Sequence, residues 1–156
     1  MKMAGLILFL AGFAQAAVAQ DEKIRRIDSV QDWSVFINKD GAPSCWVATK
    51  PLRSPGFIIH NLVIYVTHER EFSVQDRAKG ITRRSTAVLN ASGNQFPMTV
   101  SENSVFINDP SRNAAIVQSL ASDWRPRVVF DRGRHVAFST QGFAKAFSKA
   151  VEACED

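Results

Sequence analysis

A chain of 156 residues, 46% hydrophobic and 22% charged, is long enough for one domain with a substantial core and too short for several. Its formal net charge of +4 is too small an excess to mark a nucleic-acid-binding surface, and no repeat or low-complexity tract is visible. Two cysteines, Cys45 and Cys154, leave a single way of pairing within the chain.

The N-terminus reads as a secretory signal covering residues 1–19. Lys2 supplies a basic start, residues 4–13 are an apolar run, and Ala17-Val18-Ala19 forms a small-x-small cleavage site before Gln20. The run falls short of the roughly 20 residues a membrane-spanning helix needs, and Gln15 breaks its C-terminal side. Cleavage is therefore expected rather than anchoring, with no transmembrane segment left afterwards and no cysteine at the cleavage site for a lipid. Removing 19 of 156 residues leaves 137, and losing Lys2 lowers the net charge from +4 to +3. The expected location is the periplasm, or a secreted or outer-membrane-associated state. Residues 20–31 (QDEKIRRIDSVQ) read as a polar leader, and residues 32–156 as a single domain.

Period-2 patterning dominates from Trp33 to about Asn108. Residues 33–37 and 45–49 flank an Asp40-Gly41 turn signal and predict a β-hairpin that places Cys45 on a strand. Residues 57–67 (FIIHNLVIYVT) are apolar on both parities and rich in β-branched side chains, which predicts a central strand covered on both faces. Shorter strands are predicted at 72–75, 85–89, 95–99 and 104–107, with Lys79-Gly80 and Ser92-Gly93-Asn94 among the intervening turn formers.

Asp109-Pro110 then predicts a helix start, with Asp as N-cap and Pro in the first helical position. Its apolar side would be Ile116, Val117, Leu120, Ala121 and Trp124, and Pro126 limits its length. Residues 127–130 and 134–138 predict a second hairpin. A three-residue connection, Asp131-Arg132-Gly133, pairs Val128 with Val136 and puts glycine where a left-handed residue is needed. The last helix follows Thr140 as N-cap, with Phe143, Ala144, Phe147, Ala150, Val151 and Cys154 at helical spacing. The fold class is thus mainly β, an antiparallel sandwich or barrel-like core with two helices in the C-terminal part.

Export makes oxidation the default, and the last helix can present Cys154 to the strand that carries Cys45. A Cys45–Cys154 disulfide is expected; for a loop on the order of 100 residues the chain-entropy model gives about 4 to 5 kcal/mol. Zinc binding by this pair is disfavoured because neither cysteine has a second ligand close by in sequence.

No catalytic, metal-binding or phosphate-cradling constellation stands out, so no catalytic residue, metal or cofactor is expected. The densest titratable cluster, His68-Glu69-Arg70-Glu71, splits between the two faces of a strand and does not converge, and His60 beside Asn61 suits a hydrogen-bonded group within a strand. Asn90-Ala91-Ser92 is a glycosylation sequon, here a mark of an exposed turn. Arg125, Arg127, Arg132, Arg134 and His135 gather on the last hairpin beside Trp124, with Arg125, Arg127 and His135 on the face opposite Val128. Two readings stand. Such a ridge suits an anionic surface such as lipopolysaccharide, phospholipid or glycan, but the favoured reading is the wet face of an edge hairpin that must not pair with other strands. Arg77, Lys79, Arg83 and Arg84 form a second basic group with the same two readings.

Asp32-Trp33-Ser34-Val35-Phe36, Ser44-Cys45-Trp46-Val47-Ala48 and the terminal Gly142-Phe143-Ala144-Lys145-Ala146-Phe147 helix ending at Cys154 resemble the bacterial invasion-associated locus B family. The likeness covers most of the mature chain. It implies an exported, non-enzymatic protein of the periplasm or outer-membrane surface, linked in pathogenic relatives to entry into host cells. The expected partner is an envelope component or a host-surface molecule, and the alternative is a periplasmic enzyme of unrecognised mechanism.

Overall fold

The computed structural model describes residues 23–41, 44–53, 61–66, 72–77, 86–101, 104–107 and 109–155. The predicted signal segment, His60 and the His68–Glu71 cluster lie outside the described residues. Among those described, the strands are β1 (Ile24–Val30), β2 (Trp33–Asn38), β3 (Ser44–Thr49), β4 (Pro51–Arg53), β5 (Leu62–Val66) and β6 (Phe72–Arg77). They continue with β7 (Ala87–Ala91), β8 (Asn94–Ser101), β9 (Ser104–Ile107), β10 (Arg127–Phe130) and β11 (His135–Phe138). The helices are α1 (Asn113–Ser122) and α2 (Phe143–Glu155), with 3-10 turns at Pro110–Arg112 and Asp131–Gly133.

Alternation of apolar and polar side chains dictates which face of each strand turns inward. Trp33, Val35 and Ile37 of β2, Cys45 and Val47 of β3, Leu62, Ile64 and Val66 of β5, and Leu89, Val105, Val128 and Val136 further on are all buried. A one-residue slip in any of these pairings would turn the buried set to solvent, which pins the register. All the pairings are antiparallel, in the order β1-β2-β3-β5-β6-β9-β8-β7-β10-β11-β4. Lys50 alone separates β3, third from one end of that order, from β4 at the other end. The sheet therefore curls back on itself as a half-barrel around its own inward side chains, as the mainly β reading with two C-terminal helices expected.

Both predicted hairpins are present: β2 pairs with β3 from Trp33 opposite Thr49 to Asn38 opposite Ser44, and in the second Val128 faces Val136, the register predicted for it. Gly133 carries a φ of 72°, the left-handed position its place in the connection requires. The polar stretch read as a leader holds β1, an edge strand whose side chains are mostly exposed. The described part of the long apolar segment is β5, where Leu62, Ile64 and Val66 are buried and Val63 and Tyr65 only half-buried. Its outer face carries a ladder in which Phe36 stacks on Trp46 at 5.5 Å and Trp46 meets Tyr65 at 5.7 Å.

α2 lies across the inner face of β2 and β3. Ala146 and Ala150 are buried and small, so the helix approaches the sheet closely, and the Phe143 ring lies 5.0 Å from that of Trp33, whose indole N–H donates to the Ser139 carbonyl oxygen at 3.0 Å. Cys154, at the far end of the buried stripe, forms the expected disulfide with Cys45 across a Cα separation of 5.9 Å. Ala144 is exposed where the spacing put it inside, while Phe147 and Val151 are half-buried and pack against the core. Thr140 does not cap α2 with its hydroxyl, which donates instead to the Asp123 carbonyl oxygen. The helix is entered through Gly142, at a φ of 85°.

Candidate functional site

The helical segment after Asp109 opens with the 3-10 turn, the Asp109 carboxylate accepting from the Ser111 N–H at 3.2 Å, and α1 then ends at Ser122, before Trp124. Ile116 and Leu120 are buried, but Ala121 is exposed and Trp124 lies beyond the helix, 77% exposed. The reason is Asp123. Its backbone is extended, and its carboxylate accepts from the Arg125 N–H at 2.8 Å and from the Ser92 N–H at 2.6 Å. These bonds turn the chain outward at Trp124 and fasten the α1–β10 connection to the β7–β8 turn.

That turn is built from Ser92 and Gly93, at φ 52° and 79°, the two left-handed residues that a two-residue hairpin connection demands. β7 and β8 thereby place Asn90 opposite Gln95, and β10 places Arg127 opposite Asn90 on the other side. Gln95, Asn90 and Arg127 form a polar row across three strands on the outer face of the sheet. With Asp123, Trp124 and Arg125 they line a cleft of about 310 Å³.

Three properties distinguish this cleft. Trp124 presents its indole to solvent, with the Arg125 guanidinium 5.7 Å from the ring centre in cation–π range. Neither Arg125 nor Arg127 has a carboxylate partner among the described residues. The Asn90 Oδ1 atom is buried and has no hydrogen-bond partner among the described residues, a condition that costs about 1–3 kcal/mol for a neutral group. The sequon at Asn90 therefore does not mark an exposed turn: Asn90 lies half-buried on a strand at the cleft wall.

Of the five residues singled out on the last hairpin, Arg125 and Arg127 line the cleft. His135 shares the exposed face with Arg127, one diagonal away across the β10–β11 pairing, which is about 7–8 Å, and does not line it. Arg134 sits at the tip, its Nε donating to the Asp131 carbonyl oxygen at 3.5 Å, and the Arg132 side chain lies outside the described residues. The second basic group contributes only the backbone of Arg77 to β6; Lys79, Arg83 and Arg84 lie outside the described residues. Asn90 and Gln95 went unrecognised as site residues, since only the long-range β7–β10 pairing brings them to Arg127. A larger groove of about 450 Å³, bordered by Arg26, Phe36, Lys50, Leu52 and Asn61, lacks both an exposed tryptophan and an unpaired buried polar atom among its described residues.

No helix among the described residues is long and apolar enough to cross a membrane. No protein-family model matches the chain, and no curated protein matches it in sequence. Among solved structures it is similar to the crystal structure of invasion associated protein B from Bartonella henselae, with a TM-score of 0.66 over 83% of this chain and 98% of that one. The sequences share 10% identity, so the likeness is one of fold.

Proposed function

We propose that the mature chain is an extracytoplasmic binding protein, not an enzyme, that attaches to an anionic component of the cell envelope or of a host surface through the Trp124 cleft. One observation carries this reading: a solvent-facing indole stands beside two guanidinium groups that no carboxylate of the described chain neutralises. Exposing so much aromatic surface costs apolar hydration free energy, which a partner would recover on covering it. The Asp123 carboxylate spends its two oxygens on backbone N–H groups and positions the loop, which favours binding over proton-transfer chemistry. The disulfide supports an oxidising compartment, and the fold shared with an invasion associated protein supports a part in contact with host cells.

The test uses the oxidised protein beginning at Gln20 with envelope extracts and anionic liposomes. Arg125→Glu combined with Arg127→Glu is expected to abolish binding at low salt while leaving the thermal transition in place. Binding by the parent is expected to weaken steeply with ionic strength, because exposed charges are screened over about 8 Å at physiological salt. Equal binding by parent and double variant at low salt would refute the reading.

A further inference from the structure

The partner's chemistry follows from what each wall of the cleft lacks. Resting on the anionic-partner reading above, we infer that the cleft takes an acidic saccharide, a sugar unit bearing a carboxylate or another anionic substituent. Two guanidinium groups without a carboxylate partner among the described residues, Arg125 and Arg127, call for an anion. The Asn90 side chain lines the cleft and its Oδ1 has no hydrogen-bond partner among the described residues; a ligand hydroxyl, which donates as well as accepts, suits that amide whichever way it is turned. Trp124 offers a flat apolar face at the cleft rim, of the kind that covers the C–H face of a pyranose ring.

A simple polyanion or a phospholipid headgroup layer satisfies the arginines but makes no use of the Asn90 amide on β7, the strand paired with β10. A neutral glycan satisfies Asn90 and Trp124 and leaves the guanidinium groups unmatched. A ligand with charge, hydroxyls and a ring face together answers all three features. The clamp that Asp123 places on Ser92 and Arg125 fixes their spacing before the ligand arrives, which lowers the ordering cost of binding.

The experiment compares four probes on the oxidised mature protein: oligogalacturonate, its methyl ester, polyacrylate, and phosphatidylserine-containing vesicles. Oligogalacturonate is expected to bind at least about tenfold more tightly than any of the other three. Asn90→Leu and Trp124→Ala are each expected to weaken oligogalacturonate binding by about tenfold, the loss of roughly one good contact, and to leave polyacrylate binding unchanged. Arg125→Glu with Arg127→Glu is expected to weaken both. If polyacrylate or the vesicles bind as tightly as oligogalacturonate and Asn90→Leu changes neither, the saccharide assignment is overturned while the anionic-surface reading stands. If the double arginine variant binds all four probes as the parent does, both fall.

Discussion

Gly142 and Val30 meet backbone to backbone: a Cβ placed on Gly142 would lie 2.3 Å from the Val30 carbonyl oxygen. The contact sets the entry of α2 directly against the end of β1, and Gly142 also holds a φ of 85° that other residues adopt only under strain. Both the geometry and the space require glycine there. Gly142→Ala is therefore expected to destabilise by on the order of 2 kcal/mol or more, since strain at left-handed φ alone costs about 1–2. Gly93→Ala is the control, because that glycine has a φ of 79° with nothing within 4 Å of its would-be Cβ. Urea midpoints should fall clearly further for Gly142→Ala, and equal losses would contradict the contact.

The Cys45–Cys154 bridge spans 109 positions and joins the end of α2 to β3. Cys154→Ala is expected to cost about 2–5 kcal/mol, the range for a native bridge in a small exported domain. Intact mass and thiol labelling of the mature protein should show no free thiol before reduction. An unchanged denaturation midpoint on adding reductant would be the contrary result.

Burial ranks the two phenylalanines of α2. Phe143 is 1% exposed and wedged against Trp33, while Phe147 is half-buried, its ring 5.6 Å from that of Phe143. Phe143→Ala should cost about 3–5 kcal/mol and Phe147→Ala distinctly less. Thermal or urea unfolding of the two variants checks the order, and a larger loss at Phe147 would contradict the helix placement.

A pH effect is expected at the β1–α2 contact. The Lys149 ammonium group, followed by the Ser29 N–H at 2.6 Å, holds the Asp28 carboxyl below its ordinary value of about 3.9. A carboxyl lowered on folding stabilises the native state above the unfolded value, and that contribution disappears as pH falls through the lower, folded one. Asp28→Asn should therefore flatten the acid side of the stability profile below about pH 4 while changing its shape little above pH 5. Superimposable acid limbs for variant and parent would count against the pair.

What could be read beforehand was local and periodic. The β2–β3 hairpin and the Val128–Val136 register followed from alternation and turn chemistry, and two cysteines allowed one bridge within the chain. The misplaced residues have specific causes. β1 buries almost none of its side chains, so no alternation marks it. Ala144 and Ala146 are the same residue type two positions apart, and composition cannot tell which of them meets the sheet. Trp124 continues the apolar spacing of α1 by one turn, and the bonds that the Asp123 carboxylate accepts from the Ser92 and Arg125 N–H groups, with Pro126 just beyond, end the helix before it. Half of the cleft comes from β7 and β8, some thirty residues upstream of the hairpin, joined to it by pairings between distant strands.

The most direct measurement of the cleft as the binding surface is an N–H NMR titration of the oxidised mature protein with oligogalacturonate at low salt. Binding there predicts that the largest changes fall on the Trp124 indole, the Asn90 side-chain amide and the backbone of Arg125 and Arg127. The His135 signals should move less. The indole of Trp33, bonded to the Ser139 carbonyl oxygen in the core, serves as an internal reference that stays put. Changes centred on β1, α2 or the hairpin tip with the Trp124 indole unmoved would contradict the assignment of this cleft.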